Sequence, residues 1–245
     1  MIPKKIHYCW VGGNPLTPLA EKCIASWRKY CPDYEIVRWD ESNYDFTKNK
    51  YMKQAYEAKK WGFVPDYARL DIIYQNGGIY LDTDVELVKP LDELLENKCF
   101  CGVELRDQGR IVVALGLGFG AERGDSLIKE MMSSYFDLNF LNADGTLNLV
   151  ASPVYQTKFL LEKGLINIPQ IQNVAGITVY PKVYFNPTDL DTGKVVLDKK
   201  TISIHHYAGS WLDAKAKRRY EVHKFLNRVI GKNATNWLRK ILLWK

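Results

Sequence analysis

The sequence of 245 residues lacks several features that would decide the class of the protein at once. No apolar run approaches the ~20 residues that a helix needs to cross a bilayer. The first residues enter a strand-like segment directly and contain no apolar signal-peptide core, so we expect a cytoplasmic protein. The glycine-rich run at 116–120 is not followed by Gly-Lys-Ser or Gly-Lys-Thr, which excludes a nucleotide-triphosphate P-loop.

Cysteine is also scarce. The chain holds five cysteines, an odd number, and no two of them form a C-x-x-C pair. Cys99 and Cys101 alternate along a predicted strand and should face the same side, but nothing else completes a zinc site. We therefore predict reduced thiols in the core, in agreement with a reducing compartment.

The bulk composition is that of an ordinary globular domain, with 47% hydrophobic and 25% charged residues and enough length for a sizeable core. The charge is uneven. Residues 216–245 hold nine Lys or Arg and one acid, Glu221, a local net charge of +8, whereas the whole chain is +6. The basic character therefore belongs to the C-terminal tail.

The most informative stretch ends a short apolar strand with two carboxylates. Gly77 and Gly78 stop a helix, residues 79–81 read as a strand, and Asp82-Thr83-Asp84 follows. In an extended chain Asp82 and Asp84 project to the same side, where their repulsion is relieved if Mg²⁺ or Mn²⁺ lies between them. A cation there would hold a diphosphate. The alternative is a polar turn at the end of an edge strand.

A helix predicted upstream adds a cation to this stretch. Pro65 suits its first turn, and Asp66 and Arg69 are three residues apart, hence neighbours on one face. An arginine beside a metal-bound diphosphate can pair with phosphate or sugar oxygens.

These residues carry a family resemblance. The run Pro65-Asp66-Tyr67-Ala68-Arg69 through Gly77-Gly78-Ile79-Tyr80-Leu81-Asp82-Thr83-Asp84 resembles the sugar-binding region of D-x-D glycosyltransferases of the capsular polysaccharide and Och1-like mannosyltransferase type. It is more distantly similar to the glucosyltransferase domains of the large clostridial toxins. The resemblance implies an α/β protein of the GT-A fold with a central mixed, mostly parallel sheet, followed here by C-terminal basic amphipathic helices. It also implies a nucleotide-sugar donor, a divalent metal and retention of anomeric configuration.

The first predicted strand, residues 4–10, runs into a Gly-Gly turn, as α/β folds do where backbone approaches a nucleotide. The resemblance implies that Trp10 stacks on the base, and a core tryptophan is the alternative. His7 is better explained as a hydrogen-bonded histidine of the strand than as a catalyst. The nucleotide-sugar-binding residues implied by the resemblance are His7, Trp10, Val11, Gly12, Asp66, Arg69, Tyr80, Asp82, Ser210 and Trp211.

A second stretch of the resemblance covers residues 202–211, which are similar to the family's His-Tyr-x-Gly and Ser-Trp elements. His205 and His206 lie on opposite faces of a predicted strand and cannot both reach one metal. The resemblance implies His206 as the metal ligand beside Asp82 and Asp84, and a nitrogen ligand favours Mn²⁺ over Mg²⁺. Ser210 and Trp211 would cover the bound donor.

The chain divides on this interpretation into a GT-A domain, residues 1–212, and a basic amphipathic tail, residues 213–245. The apolar positions of the tail recur at spacings near three and four, with Lys and Arg between them: Phe225, Leu226, Val229, Ile230, Trp237, Leu238, Ile241, Leu242 and Trp244. Such a helix suits an anionic membrane surface, and we expect peripheral binding to the inner face of the cell membrane. The alternative is a helix packed on the core with its basic face in solvent.

The sequence thus predicts transfer of a hexose from a nucleotide sugar, UDP favoured over GDP, to a saccharide or lipid-linked saccharide in bacterial capsular or surface polysaccharide assembly. The catalytic residues would be Asp66, Arg69, Asp82 and Asp84, and no nucleic acid partner is expected. Residues 137–200 show the weakest pattern and are assigned to acceptor choice.

Two other classes stay open at this point. The run Asp82-Thr83-Asp84-Val85 also resembles the haloacid-dehalogenase nucleophile motif, which would lead to phosphoryl transfer. A non-catalytic partner that binds sugar nucleotides or membranes is the other alternative.

Overall fold

The computed structural model describes residues 1–106, 109–189, 191–209, 214–231 and 234–235. Within these residues the strands are β1 (Lys5–Cys9), β2 (Glu35–Trp39), β3 (Gly78–Tyr80), β4 (Val85–Leu87), β5 (Cys99–Arg106), β6 (Arg110–Val113), β7 (Phe119–Ala121), β8 (Gln172–Val174), β9 (Ile177–Tyr180) and β10 (Ser203–His205). The α-helices are α1 (Pro18–Tyr30), α2 (Lys50–Glu57), α3 (Pro65–Asn76), α4 (Ser126–Ser133), α5 (Ser152–Glu162) and α6 (Ala214–Ile230).

Eight strands form the central sheet in the order β2-β1-β3-β7-β5-β9-β8, with β6 paired to β5. Strand β1 is parallel to β2 and β3, and β5 is parallel to β9. Strand β7 runs antiparallel to β3 and β5, and β6 and β8 are also antiparallel to their neighbours. The α/β class and the mixed sheet are confirmed. The expected parallel majority is not found among the described strands of this sheet, since three of its seven pairings are parallel, β1 with β2, β1 with β3 and β5 with β9.

Side-chain alternation divides the core into two layers, one on each face of the sheet. Along β5, Cys99 and Cys101 enter the cluster shared with α2, α3, α4 and α5, while Phe100 enters the cluster shared with α1. Strand β1 divides in the same way, with Ile6 and Tyr8 in the second cluster and Cys9 in the first. A sheet covered on both faces leaves its edges and strand ends for ligands.

The cysteine prediction is confirmed, since all five thiols are free and buried. Burial raises the pKa of the Cys9 and Cys101 thiols to about 12, so neither is a thiolate at neutral pH.

Helix α1 fixes the strand that follows the two carboxylates. Thr17 caps the N-terminus of the helix, since its side chain accepts a hydrogen bond from the Ala20 N–H at 3.2 Å. Trp27, near the other end of the helix, is completely buried. The Trp27 indole donates to the Val85 carbonyl at 2.7 Å, and the Leu87 N–H donates to Ser26 Oγ at 2.9 Å. These contacts hold β4 against the helix.

Helix α3 begins at Pro65 and ends at Gly77, as predicted. Gly77 adopts φ 66°, the left-handed region that favours glycine after a helix. At Gly78, φ is 100°, and an added Cβ would lie 2.8 Å from His7 Nε2. The two glycines therefore let the chain turn sharply from α3 into β3.

The C-terminal part of the described chain returns to the cleft side of the sheet. Strand β10 pairs antiparallel with β4 and places His205 opposite Val85. Helix α6 lies beside the segment that precedes β10, where Asn227 Nδ2 donates to the Asp191 carbonyl at 2.9 Å. Among the described residues, none of the helices has the length and apolarity to traverse a bilayer.

Candidate active site

A cleft of about 1310 Å³ opens where β1 and β3 end. The two strands are parallel, so their carboxyl ends meet at one edge of the sheet, the usual place for ligands in α/β folds. Its wall includes Trp10 and Val11 after β1, and Asp82 and Asp84 after β3. Further residues of the wall come from α3, the loop after β10 and helix α6.

Three side chains in this cleft could hold a metal ion together. Asp82, Asp84 and His205 each offer one ligand atom, and these atoms lie within 4.8 Å of one another. Asp82 and Asp84 lie in the turn between β3 and β4, where the Val85 N–H donates to the Asp82 carbonyl at 3.0 Å, so the turn and not the predicted strand alternation brings the two carboxylates together. The pairing of β10 with β4 brings in the imidazole. Two oxygens and one nitrogen are a donor set that suits Mn²⁺ and accepts Mg²⁺.

Asp84 is held in its ionised form. Its Oδ1 lies 3.1 Å from His205 Nε2, and its Oδ2 accepts a hydrogen bond from the Ala208 N–H at 2.8 Å. Burial opposes the charge, but His205 and the Ala208 N–H outweigh burial and lower the pKa of Asp84 to about 2. The His205 ring is opposed by burial as well, and Asp84 raises its pKa above the ordinary value.

The structure corrects the choice between the two histidines. His206 follows β10, and its Nε2 lies 2.8 Å from Glu86 Oε2. The same Glu86 oxygen accepts from Lys22 Nζ at 2.8 Å. The alternation of the two rings was predicted correctly, but it is His205, and not His206, that joins the carboxylates.

Tyr207 fixes the position of the His205 ring. The two ring centroids are 4.3 Å apart at 80°, and the Tyr207 hydroxyl donates to Glu104 Oε2 at 2.8 Å. Tyr207 has φ 51°, which is strained for a residue with a side chain. The strain is maintained by the buried anchor that Glu104 provides.

Arg69 links helix α3 to the carboxylates. Its Nη2 lies 3.3 Å from Asp82 Oδ1 and 3.4 Å from Asp66 Oδ1, while its Nε donates to the Pro65 carbonyl at 3.0 Å. The guanidinium also lies over the Tyr80 ring, 5.1 Å from its centroid. Burial opposes the positive charge, but the Asp82 carboxylate outweighs burial and raises the pKa of Arg69.

Asp66 stands behind Arg69 and does not form part of the cleft wall in the described structure. It is 4% exposed, and burial raises its pKa to about 6 in spite of the opposing Arg69 charge. The expected direct contact of Asp66 with a sugar hydroxyl is thus not supported by its position. Asp66 is placed to orient Arg69.

Gly116 leaves the space that Asp82 occupies. A Cβ added at Gly116 would lie 2.0 Å from Asp82 Oδ2 and 3.1 Å from Arg69 Nη1. The Gly116 carbonyl also accepts a hydrogen bond from the Asp82 N–H at 3.1 Å. Gly116, the first residue of the glycine-rich run, therefore allows close packing against the carboxylate.

Comparison with known proteins agrees with this arrangement. Residues 18–101 match the family described as the glycosyltransferase sugar-binding region containing a DXD motif. This part of the chain is thus similar to a glycosyltransferase sugar-binding region. The match includes Asp66, Arg69 and both carboxylates of the motif, and it ends inside β5.

Two relatives and one solved structure illustrate the similarity. Inositol phosphoceramide mannosyltransferase 3 of Schizosaccharomyces pombe is 37% identical over 102 residues, 38% of this chain and 27% of that protein. Inositol phosphoceramide mannosyltransferase 1 of the same organism is 28% identical over 110 residues, 40% of this chain and 33% of that protein. The matched stretch thus spans about a third or less of these relatives. PaToxG glycosyltransferase is similar at 20% identity over 66% of this chain and 70% of its own, with a TM-score of 0.49.

The wall at the other end of the cleft includes Trp10, Val11 and Trp61. The Trp10 indole donates to the Asn14 carbonyl at 2.7 Å, which holds its ring at the cleft. Gly12 lies behind the wall, where its N–H donates to Glu41 Oε1 at 2.6 Å and an added Cβ would meet the Trp61 ring at 2.8 Å. Gly12 therefore seats Trp61 and has no place in the wall itself.

His7 is a structural residue. It is 1% exposed, its Nε2 lies 2.9 Å from the Gly77 carbonyl, and its Nδ1 accepts from the Trp39 indole at 3.1 Å. Burial lowers its pKa to about 4, so the ring is neutral at pH 7. This position does not support the prediction that His7 binds the nucleotide sugar. It agrees with the other interpretation, a strand histidine with both ring nitrogens hydrogen-bonded inside the fold.

Ser210 and Trp211, expected to cover the donor, lie outside the described residues. The residues just before them, Tyr207, Ala208 and Gly209, do reach the cleft.

The sequence did not single out His205, Tyr207, Trp61 or the α6 residues Tyr220 and His223 as site residues. Strand alternation indicates that one of the two histidines faces the carboxylates, but it does not say which one. The α6 residues carry a usable pattern as well, because Ala216, Tyr220, His223 and Asn227 recur at spacings of three and four.

Proposed function

We propose that this chain transfers a hexose from a nucleotide sugar to a saccharide acceptor with the help of a divalent cation and with retention of configuration. The observation that carries the proposal is the convergence of Asp82, Asp84 and His205 within 4.8 Å beside the buried Arg69, in a sugar-binding region. A further enzyme class, phosphoryl transfer, has no comparable support among the described residues.

The cation would be held by Asp82, Asp84 and His205, with Mn²⁺ favoured over Mg²⁺ because of the imidazole nitrogen. Bound there, it would neutralise charge on the leaving nucleoside diphosphate as a Lewis acid. His205 is oriented for this role by Tyr207, and Asp84 by the Ala208 N–H. Both ligands are thus positioned before any substrate enters.

Arg69 is proposed to do two things. Its contact with Asp82 fixes that carboxylate, and its exposed edge in the cleft wall can pair with a phosphate or donor-sugar oxygen. Asp66 orients the guanidinium from behind. Trp10 is proposed to stack on the base of the donor, with Val11 and Trp61 beside it.

Retention is proposed to follow a front-face route, in which the leaving phosphate accepts the proton of the acceptor hydroxyl. Three of the four aspartates in the described cleft wall have other tasks. Asp82 and Asp84 belong to the metal site, and Asp189 Oδ1 is engaged by the Thr192 N–H and hydroxyl at 2.8 Å each. No covalent nucleophile is needed in this proposal.

The test is donor hydrolysis across UDP- and GDP-hexoses with Mn²⁺, with Mg²⁺ and with chelator. The sequence favours a UDP-sugar, and the mannosyltransferase relatives make mannose one of the hexoses to include. We expect metal-dependent release of nucleoside diphosphate from one donor, lost in Asp84→Asn and retained in the exposed control Asp137→Asn. Phosphate release from simple phosphomonoesters without sugar transfer would instead support phosphoryl chemistry. Tight donor binding with no turnover would support a non-catalytic partner.

We also propose peripheral binding to the inner face of the cell membrane, near the lipid-linked acceptors of surface polysaccharide assembly. Helix α6 exposes Phe225, Val229, Arg218 and Arg228, and each basic residue near an anionic surface contributes roughly 1 kcal/mol. The tryptophans predicted for this role, Trp237 and Trp244, lie outside the described residues.

Vesicle co-sedimentation tests the membrane proposal. We expect the protein to bind phosphatidylglycerol vesicles and not phosphatidylcholine vesicles, and the double variant Arg218→Glu, Arg228→Glu to bind less. The double variant Lys129→Glu, Lys158→Glu makes the same change of charge at exposed positions of α4 and α5 and is the control. Equal binding by both variants would argue against a role for α6.

A further inference from the structure

The cleft is larger than one substrate requires. Its volume of about 1310 Å³ exceeds the roughly 300 to 1,000 Å³ of most small-molecule sites. The proposed donor accounts for the part lined by Trp10, Trp61, Arg69 and the metal-binding residues. A different part of the wall remains, made of Leu105, Gly109, Lys182, Asp189, Asp191, Ala216, Tyr220 and His223.

Helix α6 presents one consistent face to this second part. Ala216, Tyr220 and His223 line the cleft, and Asn227, one turn further, is 3% exposed and bound to the Asp191 carbonyl. Their spacing places them on a single stripe of the helix. Phe225, 64% exposed, lies on a different face. The cleft-facing stripe is therefore distinct from the apolar and basic face proposed for the membrane.

Tyr220 stands next to the proposed metal site. Together with His205 and Tyr207 it lines a smaller cavity of about 80 Å³ adjoining the cleft. Lys224 Nζ lies 4.9 Å from the Tyr220 ring centroid and 2.9 Å from Glu221 Oε1, so a cation–π contact and an ion pair hold the ring on the helix. A fixed aromatic ring with a polar edge suits the mixed apolar and hydroxyl surface of a sugar.

His223 contributes a hydrogen-bond donor without a partner. Asn227 Nδ2 donates to the Asp191 carbonyl, which fixes the amide, and it also lies 3.3 Å from His223 Nδ1. Nδ1 is thus the acceptor and the neutral ring carries its proton on Nε2. That nitrogen is covered and has no hydrogen-bond partner in the described part of the chain. Because an unsatisfied buried donor costs free energy, a ligand hydroxyl that meets it after a small ring rotation would be favoured.

We propose that α6, together with Lys182, Asp189 and Asp191 of the facing wall, forms the binding site for the sugar ring of the acceptor, with Tyr220 against its C–H face and His223 Nε2 donating to a hydroxyl. The ligand class is a neutral pyranose. The charged groups of this wall, Lys182 and Asp191, supply a donor and an acceptor for further hydroxyls. The assignment rests on the proposed function, since it names the second substrate of the same cleft.

Steady-state kinetics test the assignment. Methyl glucosides, galactosides and mannosides of both anomers serve as acceptors at saturating donor. We expect Tyr220→Leu and His223→Ala to raise the acceptor KM about three- to tenfold, the loss of one aromatic or hydrogen-bonding contact. Donor hydrolysis without acceptor should stay within twofold of wild type. Tyr220→Phe keeps the aromatic ring, and His223→Gln keeps a hydrogen-bond donor. Both variants should therefore retain most of the acceptor affinity.

Phe225→Leu is the matched control, because it removes an aromatic ring from the other face of the same helix. It should leave the acceptor KM unchanged. An acceptor KM that Tyr220→Leu does not change would overturn the assignment. An equal loss of donor hydrolysis would also overturn it, because Tyr220 would then act in the donor site or in stabilising the fold.

Ligand-observed NMR separates this proposal from the transferase activity. Saturation transfer to the same methyl glycosides, recorded with Mn²⁺-free protein and no donor, should appear with wild type and with Phe225→Leu and disappear with Tyr220→Leu. That pattern in a protein that hydrolyses no donor would contradict the proposed function and still support a sugar site on α6. Absence of saturation transfer in wild type would overturn the site.

Discussion

Asp82 is confined from two directions by residues of opposite character. Arg69 attracts its Oδ1 at 3.3 Å, and Gly116 supplies the empty volume into which Oδ2 projects. A carboxylate fixed in this way loses little freedom when it binds a cation, which is the advantage of preorganisation in a catalytic site. The arrangement makes a residue without functional groups as important as the charged ones.

Gly116→Ala should therefore abolish most of the proposed transferase activity. The new methyl group would lie 2.0 Å from Asp82 Oδ2, so the carboxylate must move, and a displacement of about 1 Å can cost roughly 100-fold in rate. Turnover of the best donor and thermal unfolding would be measured together. Gly145→Ala is the control, since φ is 80° there and no atom lies within 4 Å of its added Cβ. It should cost about 1 to 2 kcal/mol of stability through strain and leave turnover unchanged.

His205→Ala and His206→Ala should separate in their metal requirement. His205 faces Asp84 at 3.1 Å, whereas His206 faces Glu86. We expect His205→Ala to raise the Mn²⁺ concentration at half-maximal activity by roughly 100-fold. Loss of a residue that only orients a metal ligand already costs roughly 10- to 100-fold in metal affinity. His206→Ala should change it little. A larger rise of this Mn²⁺ concentration in His206→Ala than in His205→Ala would instead support His206 as the metal ligand, as predicted from the sequence.

The limit of sequence reasoning is visible in these two histidines. Alternation along β10 shows that only one of them can join Asp84, and this much follows from the chain itself. Which one does so depends on the register of β10 against β4, where His205 lies opposite Val85. That register joins residues more than a hundred positions apart. Local pattern contains no information about it, and the family pattern pointed to the wrong neighbour.

Helix α3 operates as a unit that carries charge into the interior. It delivers Asp66 and Arg69 to the rear of the cleft, both nearly buried, and Gly77 then turns the chain so that β3 brings Asp82 back to them. The burial of Asp66 is unfavourable for its ionised form, which is why its pKa rises to about 6. The element thus pays for function with a pH-dependent loss of stability.

Asp66→Asn should expose that loss. A carboxyl whose pKa rises from 3.8 to about 6 on folding stabilises the native state fully below pH 3.8, and this contribution disappears as the pH rises through 6. Relative to the variant, wild type should lose roughly 2 to 3 kcal/mol of unfolding free energy between pH 4 and pH 7. Urea unfolding at five pH values checks this. Parallel curves for the two proteins would mean that Asp66 titrates normally in the fold.

Elements with strong local signals were predicted and those with weak signals were not. Helix α1 has a side-chain cap, a proline and periodic apolar residues, and α3 has a proline in its first turn and a glycine stop. Strands β1 to β3 have clear glycine or proline boundaries. In residues 137–200, by contrast, β8 spans three residues, β9 four, and α5 has no side-chain cap. Short strands are defined by their neighbours in the sheet, so a single sequence indicates them poorly. The division at residues 212 and 213 stays a prediction.

At the scale of the molecule, metal binding should stabilise the fold. The three proposed ligands come from the loop after β3 and from β10, so a cation would join segments distant in sequence. At a Mn²⁺ concentration of about 100 times Kd, binding contributes about 2.7 kcal/mol, which raises Tm by roughly 5 to 10 °C in a protein of this size. Thermal unfolding with Mn²⁺ and with chelator measures the shift. Asp84→Asn should abolish it, whereas Asp137→Asn should retain it.

The cleft takes residues from near both ends of the described chain, with Trp10 on one part of its wall and Tyr220 on another. The sugar-binding region is complete on the ribosome once residue 101 has emerged, yet the pocket cannot close until α6 arrives. At 5 to 20 residues per second, roughly 10 to 40 s separate the synthesis of Trp10 and His223. A nascent chain in that interval presents its carboxylates without their histidine and without the far wall. Substrate capture is therefore a property that the chain acquires only after α6 has been synthesised.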